Sequence, residues 1–102
     1  MKKGAQSMNV EITARHFTAS GQLRDLIHEK IKKVEKYNSG IMSCHVILTK
    51  ENNSENVEIL ARAKGYNFAA HENADVFERS LKNAIDKIVI QLKKQHEKAI
   101  GR

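Results

Sequence analysis

The hydrophobic period of this chain switches from two to about three and a half and back, and that switching constrains the fold more than any other feature. Across Met8–Ala14, Val10 and Ile12 point one way and Asn9, Glu11 and Thr13 the other, which predicts a half-buried strand. Arg15–Ala19 is a short connection. From Ser20 to about Tyr37 the period lengthens: Leu23, Leu26, Ile27, Ile31 and Val34 recur at helical spacing and define one apolar face. Ser20 is the natural N-cap; Thr18 competes, because Gly21 is a weak first-turn residue. Asn38-Ser39-Gly40 stops the helix.

Alternation then returns. Ile41–Lys50 sets Met42, Cys44, Val46 and Leu48 against Ser43, His45, Ile47 and Thr49. Glu51–Asn56 reads as a polar turn. Val57–Lys64 opposes Val57, Ile59, Ala61 and Ala63 to Glu58, Leu60, Arg62 and Lys64, and Gly65 marks a tight turn. Tyr66–His71 is a third consecutive strand with Phe68 and Ala70 facing the core. Asn73–Lys98 has no glycine or proline and predicts a long helix with the stripe Phe77, Leu81, Ala84, Ile85, Ile88 and Leu92.

The order β-α-β-β-β-α is that of an α+β domain. A right-handed crossover makes the first two strands parallel, and the rest form an antiparallel meander. Each helix has a single apolar stripe, so both cover the same face of a four-stranded sheet. The other face, with Glu11, Ser43, His45, Thr49, Glu58, Arg62 and Asn67, sees water. At 102 residues one domain is expected: residues 8–98, preceded by a 1–7 leader or tag remnant and followed by a short 99–102 tail. No apolar run reaches the roughly 20 residues of a membrane span. Lys2 and Lys3 precede no apolar stretch of a secretory signal, and the lone Cys44 makes no internal disulfide, so a reducing cytoplasm is expected.

Charge is unevenly placed. The net charge is +6, yet Met8–Glu78 holds nine basic and ten acidic residues while Arg79–Arg102 holds seven basic and two acidic. A cationic quarter on a near-neutral body suits a polyanionic partner, and equally suits a solvated helix face. Arg24, His28, Lys32 and Lys36 follow at four-residue spacing along the first helix, with Lys33 beside them. Arg79, Asn83, Lys87, Gln91, Lys94 and Lys98 make a ridge on the second, with Lys82 and Lys93 nearby. Side by side on one sheet face, the two ridges share an outer surface that offers point charges to phosphates and amides to riboses or bases.

Catalytic signals are lacking. There is no GxSxG, glycine-rich phosphate loop or CxxC. His45 and His71 share the outer sheet face, but a metal needs a third ligand and Cys44 faces the other way, so no catalytic or metal site and no cofactor is expected. Glu11 and Glu58 read as exposed carboxylates. Cys44, Phe77 and Tyr66 read as core residues, and with few aromatics a base-stacking sheet is disfavoured. Ile90 lies opposite the main stripe of its helix, either as a scattered exposed residue or as a partner contact.

Three segments carry a resemblance. NVEITARHFTASGQLRDLIHEKIKKVEKY, IMSCHVILTKE and DVFERSLKNAIDKIVIQLKKQHEK, with Ser20-x-x-Leu23-Arg24, Lys33-x-Glu35-Lys36-Tyr37, Asp86-Lys87-Ile88 and Gln91-Leu92-Lys93-Lys94, resemble the short ribosome hibernation promoting factors. These belong to the ribosome-associated inhibitor or sigma-54 modulation family. The likeness spans Met8 to about Lys98. It implies two parallel helices on a four-stranded sheet, akin to double-stranded RNA-binding domains. It implies a partner, the small (30S) ribosomal subunit, bound through 16S rRNA in the channel of messenger and transfer RNA, with translation silenced in stationary phase or stress. The rRNA-binding positions it implies are Arg24, Lys33, Lys36, Lys87, Gln91, Lys93, Lys94 and Lys98; the charge ridges add Lys32 and Lys82. Lys82 departs from the family, which often carries an acid there. With neither the second domain of long forms nor an extended C-terminal tail, the chain is expected to stand nearer the factors that help pair ribosomes. A monomer with no membrane or small-molecule partner is expected, and a general duplex-RNA binder is the alternative.

Overall fold

A computed structural model of the chain describes residues 8–37 and 40–101, with side chains in the last helix as far as Gln95. The 1–7 leader, Asn38 and Ser39 of the helix stop, the Lys98 side chain and Arg102 lie outside the described residues. The elements are β1 Asn9–Arg15, α1 Gly21–Tyr37, β2 Ile41–Glu51, β3 Ser54–Ala63, β4 Tyr66–Ala74 and α2 Phe77–Gly101. One sheet runs β1-β2-β3-β4, with β1 parallel to β2 and the other pairs antiparallel. The parallel step is spanned by α1, as a crossover requires.

Both helices lie on one sheet face. Ile27, Ile31 and Val34 of α1, Cys44, Val46 and Leu48 of β2, Val57, Ile59 and Ala61 of β3, and Leu81, Ala84, Ile85 and Ile88 of α2 form one buried core. Full burial of an Ile, Leu or Val side chain contributes about 1.5–3 kcal/mol, so this face decides the fold. Val89 joins the α2 stripe. Leu23 and Leu26 are half-buried at its edge.

Ser20 wins the capping contest. Its Oγ accepts the Leu23 backbone N–H at 3.0 Å, and its carbonyl accepts that of Arg24 at 3.0 Å. Gly21 therefore stands as the first helical residue.

Four local expectations change. The polar turn over Glu51–Asn56 contracts to Asn52-Asn53, because β3 already begins at Ser54. The added rows of β3 demand partners, and β4 supplies them through Ala74: Glu55 faces Ala74 and Asn56 faces Asn73. The second helix therefore starts at Phe77, not Asn73, and continues to Gly101 through most of the expected tail. Its start is fixed from β3. Glu55 Oε1 accepts the Phe77 backbone N–H at 2.7 Å, and the buried Ser80 hydroxyl donates to the Glu55 carbonyl. At the head of β2, a register shift between Ile41 and Ser43 turns Ile41 into the core and leaves Met42 55% exposed. Tyr66, expected in the core, is 48% exposed, because it opens β4 at the sheet end.

The connection after β1 is tied to α2. His16 adopts a left-handed backbone (φ 72°), and Phe17 stacks on Phe77 with ring centroids 4.9 Å apart. Phe77 is buried, as its place in the stripe predicts.

Candidate nucleic-acid interface

The relative direction of the helices follows from two contacts. Lys33 Nζ lies 3.6 Å from the Asp86 carboxylate, and Lys93 Nζ lies 5.2 Å from the Tyr37 ring centroid. Both helices thus advance together, so they are parallel, and the groove between them is lined by the residues beside the two ridges, not by the ridges themselves. Such a cation over an aromatic ring contributes about 0.5–1 kcal/mol at an exposed site.

The groove is built from one flank of each helix. Lys33 and Tyr37, one turn apart, come from α1; Lys82, Asp86 and Lys93 come from α2. Asp86 is held between two lysines: Lys82 donates to it at 3.0 Å while Lys33 approaches from α1. The Lys82 hydrogen bond is the main reason the Asp86 carboxyl is held below the usual carboxylate range; burial opposes this, and the charges of Lys82 and Lys33 add to it. Lys82, the position that departs from the resembled pattern, thus has a structural partner.

Other expected site residues point away from this groove. Lys87 pairs with Glu72 of β4, and the Gln91 side-chain amide donates to the Ala69 carbonyl at 2.7 Å. This α2 flank, which Lys94 continues at i+7 from Lys87, closes over the β4 edge. Arg24 sits on the far flank of α1. It shares that side with Glu35, whose carboxylate accepts the Met8 backbone N–H at 3.2 Å beside β1. Lys32 and Lys36 stand outermost on α1, both exposed. Among the described residues, Arg24, Lys32, Lys36 and Lys94 make no ion pair, whereas Lys33, Lys82 and Lys87 do. Ile90 is 51% exposed on the outer side of α2.

Sequence reasoning missed the acids that hold these cations. Lys82 and Asp86 stand at i,i+4, a spacing that signals a helix pair, but Lys33–Asp86 and Lys87–Glu72 are tertiary and leave no local trace.

The outer sheet face holds His45 and His71 in separate rows, and likewise Glu11 and Glu58. His45 shares a hydrogen bond of 2.8 Å with Thr13 Oγ1 across the parallel pair. His45 faces Leu60, while His71 faces Glu58, so β3 stands between the two histidines. Glu11 lies in the His45 row and Glu58 in the Ile47 row, so the two acids are not paired. An open concavity there is lined by Glu11, His45, Leu60, Arg62 and Asn67. Among the described residues, no group of three His, Cys, Asp or Glu is placed to hold a metal ion. Cys44 is buried; burial first, and the Glu35 charge second, push its thiol up to about 11. Among the described residues, no helix is long and apolar enough to cross a membrane.

Known proteins share this arrangement. A ribosomal subunit interface protein from Coxiella burnetii has the same fold, with a TM-score of 0.82, 20% identity, and coverage of 87% of this chain and 98% of that one. The Protein Y N-terminal domain of Thermus thermophilus superposes with a TM-score of 0.79 at 20% identity, covering 85% and 98%. In sequence, the ribosome hibernation promoting factor of Azotobacter vinelandii is 30% identical over 95 residues, 93% of this chain and 89% of that protein. Its Pseudomonas putida counterpart is 30% identical over 91 residues, 89% of each. The family model described as sigma 54 modulation protein / S30EA ribosomal protein matches residues 10–100. The two-helix layer on its mixed sheet and these matches agree, and the chain belongs to the sigma 54 modulation / S30EA ribosomal protein family.

Proposed function

We propose that this chain is a ribosome hibernation factor that lays its helix layer on the 16S rRNA of the small ribosomal subunit. There it occupies the channel of messenger and transfer RNA and silences translation in stationary phase or stress. The action is binding and steric occlusion by a cytoplasmic monomer; no bond is made or broken.

One observation carries the reading: the parallel helices bring lysines from both helices around one groove, at Lys33–Asp86–Lys82 and Tyr37–Lys93. A folded polyanion meets that layer as a single surface. Each lysine that neutralises a phosphate releases condensed counterions, so affinity falls with salt. Arg24, Lys32, Lys36 and Lys94 are available without breaking an ion pair among the described residues, while Lys33, Lys82 and Lys87 exchange a carboxylate for a phosphate. Gln91 leaves a backbone carbonyl of β4 to reach RNA, and Lys98 is the further rRNA-binding position that the family resemblance implies.

Co-sedimentation with purified small subunits tests this. Lys36→Glu with Lys94→Glu reverses one unpaired cation on each helix and is expected to abolish binding while circular dichroism stays unchanged. Unaltered co-sedimentation would falsify the helix layer as the docking face. A plain RNA duplex that competes as well as whole subunits would instead favour a general duplex-binding domain.

A further inference from the structure

Tyr37 is an aromatic ring with no structural task equal to its exposure. It ends α1, is 48% exposed, and among the described residues nothing bonds its hydroxyl. Cations surround it. Lys93 stands over the ring, while the ring also walls an open concavity of about 580 Å³ with Glu29, Lys32, Lys33 and Lys36. Lys93 does not itself line that concavity. Three lysines to one acid line the concavity, a field that suits phosphate, and a half-exposed phenol at its wall is a π-face held ready. The space falls within the roughly 300–1,000 Å³ of small-ligand sites. Phosphate contacts alone need no ring; a nucleotide taken out of its helix needs both.

The geometry points to Tyr37 as a stacking platform for one unpaired RNA base, whose flanking phosphates Lys32, Lys33 and Lys36 hold. Lys93 over the ring keeps it in place. The inference rests on the RNA-binding reading of the helix layer and adds a single-stranded element to it. The layer thus takes both duplex backbone and an extruded nucleotide.

The test separates the two readings. The probe is a short single-stranded RNA carrying one 2-aminopurine, whose fluorescence is quenched when it stacks, used alongside co-sedimentation with small subunits. Wild-type protein is expected to quench the probe. Tyr37→Ala is expected to lose the quench and to bind subunits roughly 5- to 100-fold more weakly, the range for one lost base stack. Its salt slope should not change, because a ring releases no counterions. Tyr37→Phe should retain the quench. Lys36→Ala should lower the salt slope instead. If Tyr37→Ala binds subunits and quenches like wild type, the stacking platform fails while the interface stands. If the wild type does not bind subunits at all, the interface reading fails first. Equal competition by free adenosine monophosphate against the probe would make this a small-nucleotide site and overturn the assignment to RNA.

Discussion

Lys33 of α1 reaches across the helix layer to Asp86 of α2, at 3.6 Å, on a carboxylate that Lys82 already holds. One acid thus ties the two helices and restrains two of the cations expected to meet RNA. Replacing Asp86 by Asn frees both lysines and raises the local charge. Binding to small subunits is expected to tighten at low salt, with a steeper salt slope, measurable by sedimentation over a salt series. Weaker binding would mean that Asp86 orients the lysines more than it occupies them.

The same acid sets a pH signature. Its carboxyl titrates lower in the folded state than in the unfolded one, chiefly through the Lys82 hydrogen bond. Its stabilisation is therefore fully present above the unfolded value and is lost as pH falls through the folded value. The pair is exposed, so the contribution at neutral pH is below about 1 kcal/mol. Urea unfolding of wild type and Asp86→Asn at pH 7 and at a series of acid pH values should give curves that differ at neutral pH and draw together as pH falls below the ordinary carboxylate range.

Glu55 is a helix cap delivered by a strand. Its carboxylate accepts the Phe77 N–H, and its carbonyl takes the buried Ser80 hydroxyl. Glu55→Ala is expected to destabilise by about 0.5–2 kcal/mol, the range for a lost N-cap. Ser80→Ala should remove a net hydrogen-bond contribution of about 1 kcal/mol. The two losses should be less than additive in denaturant melts, since both anchor one helix start.

Cys44 should be chemically silent in the native protein. Burial pushes its thiol up to about 11, against an unfolded value of 9.0. At pH 8 the folded chain should resist iodoacetamide, and urea-unfolded chain should react readily. The raised value also means that this group's stabilisation is present below the unfolded value and lost as pH rises through the folded one. Fast native alkylation at pH 8 would contradict the buried placement.

Much of this layout was legible in the chain itself. Alternation at Val57, Ile59, Ala61 and Ala63, and helical spacing at Ile27, Ile31 and Val34, correctly name the buried faces. Periodicity reports the average environment of a face; it serves the helix-covered face well, and on the outer face it misses Ile47, which is buried. What it could not report is register and reach. The shift at Ile41, the extension of β4 to Ala74 and the cap from Glu55 depend on partners far along the chain. The basic ridges were readable as helix faces. That Lys87 and Gln91 clasp β4 while Lys33 and Lys82 share Asp86 was not, because long side chains choose among several neighbours only after the helices have docked.

Parallel packing also gives the layer an electrical polarity beyond its side chains. The peptide dipoles of α1 and α2 add in one direction, each leaving roughly half a positive charge at its start and half a negative charge at its end. Lys36 in the last turn of α1, and Lys93 beside Tyr37, therefore spend part of their charge against a backbone of opposite sign. At the start of α2 the Glu55 carboxylate already meets that positive end, so the start of α1, near Ser20, is left as the more open positive pole of the layer.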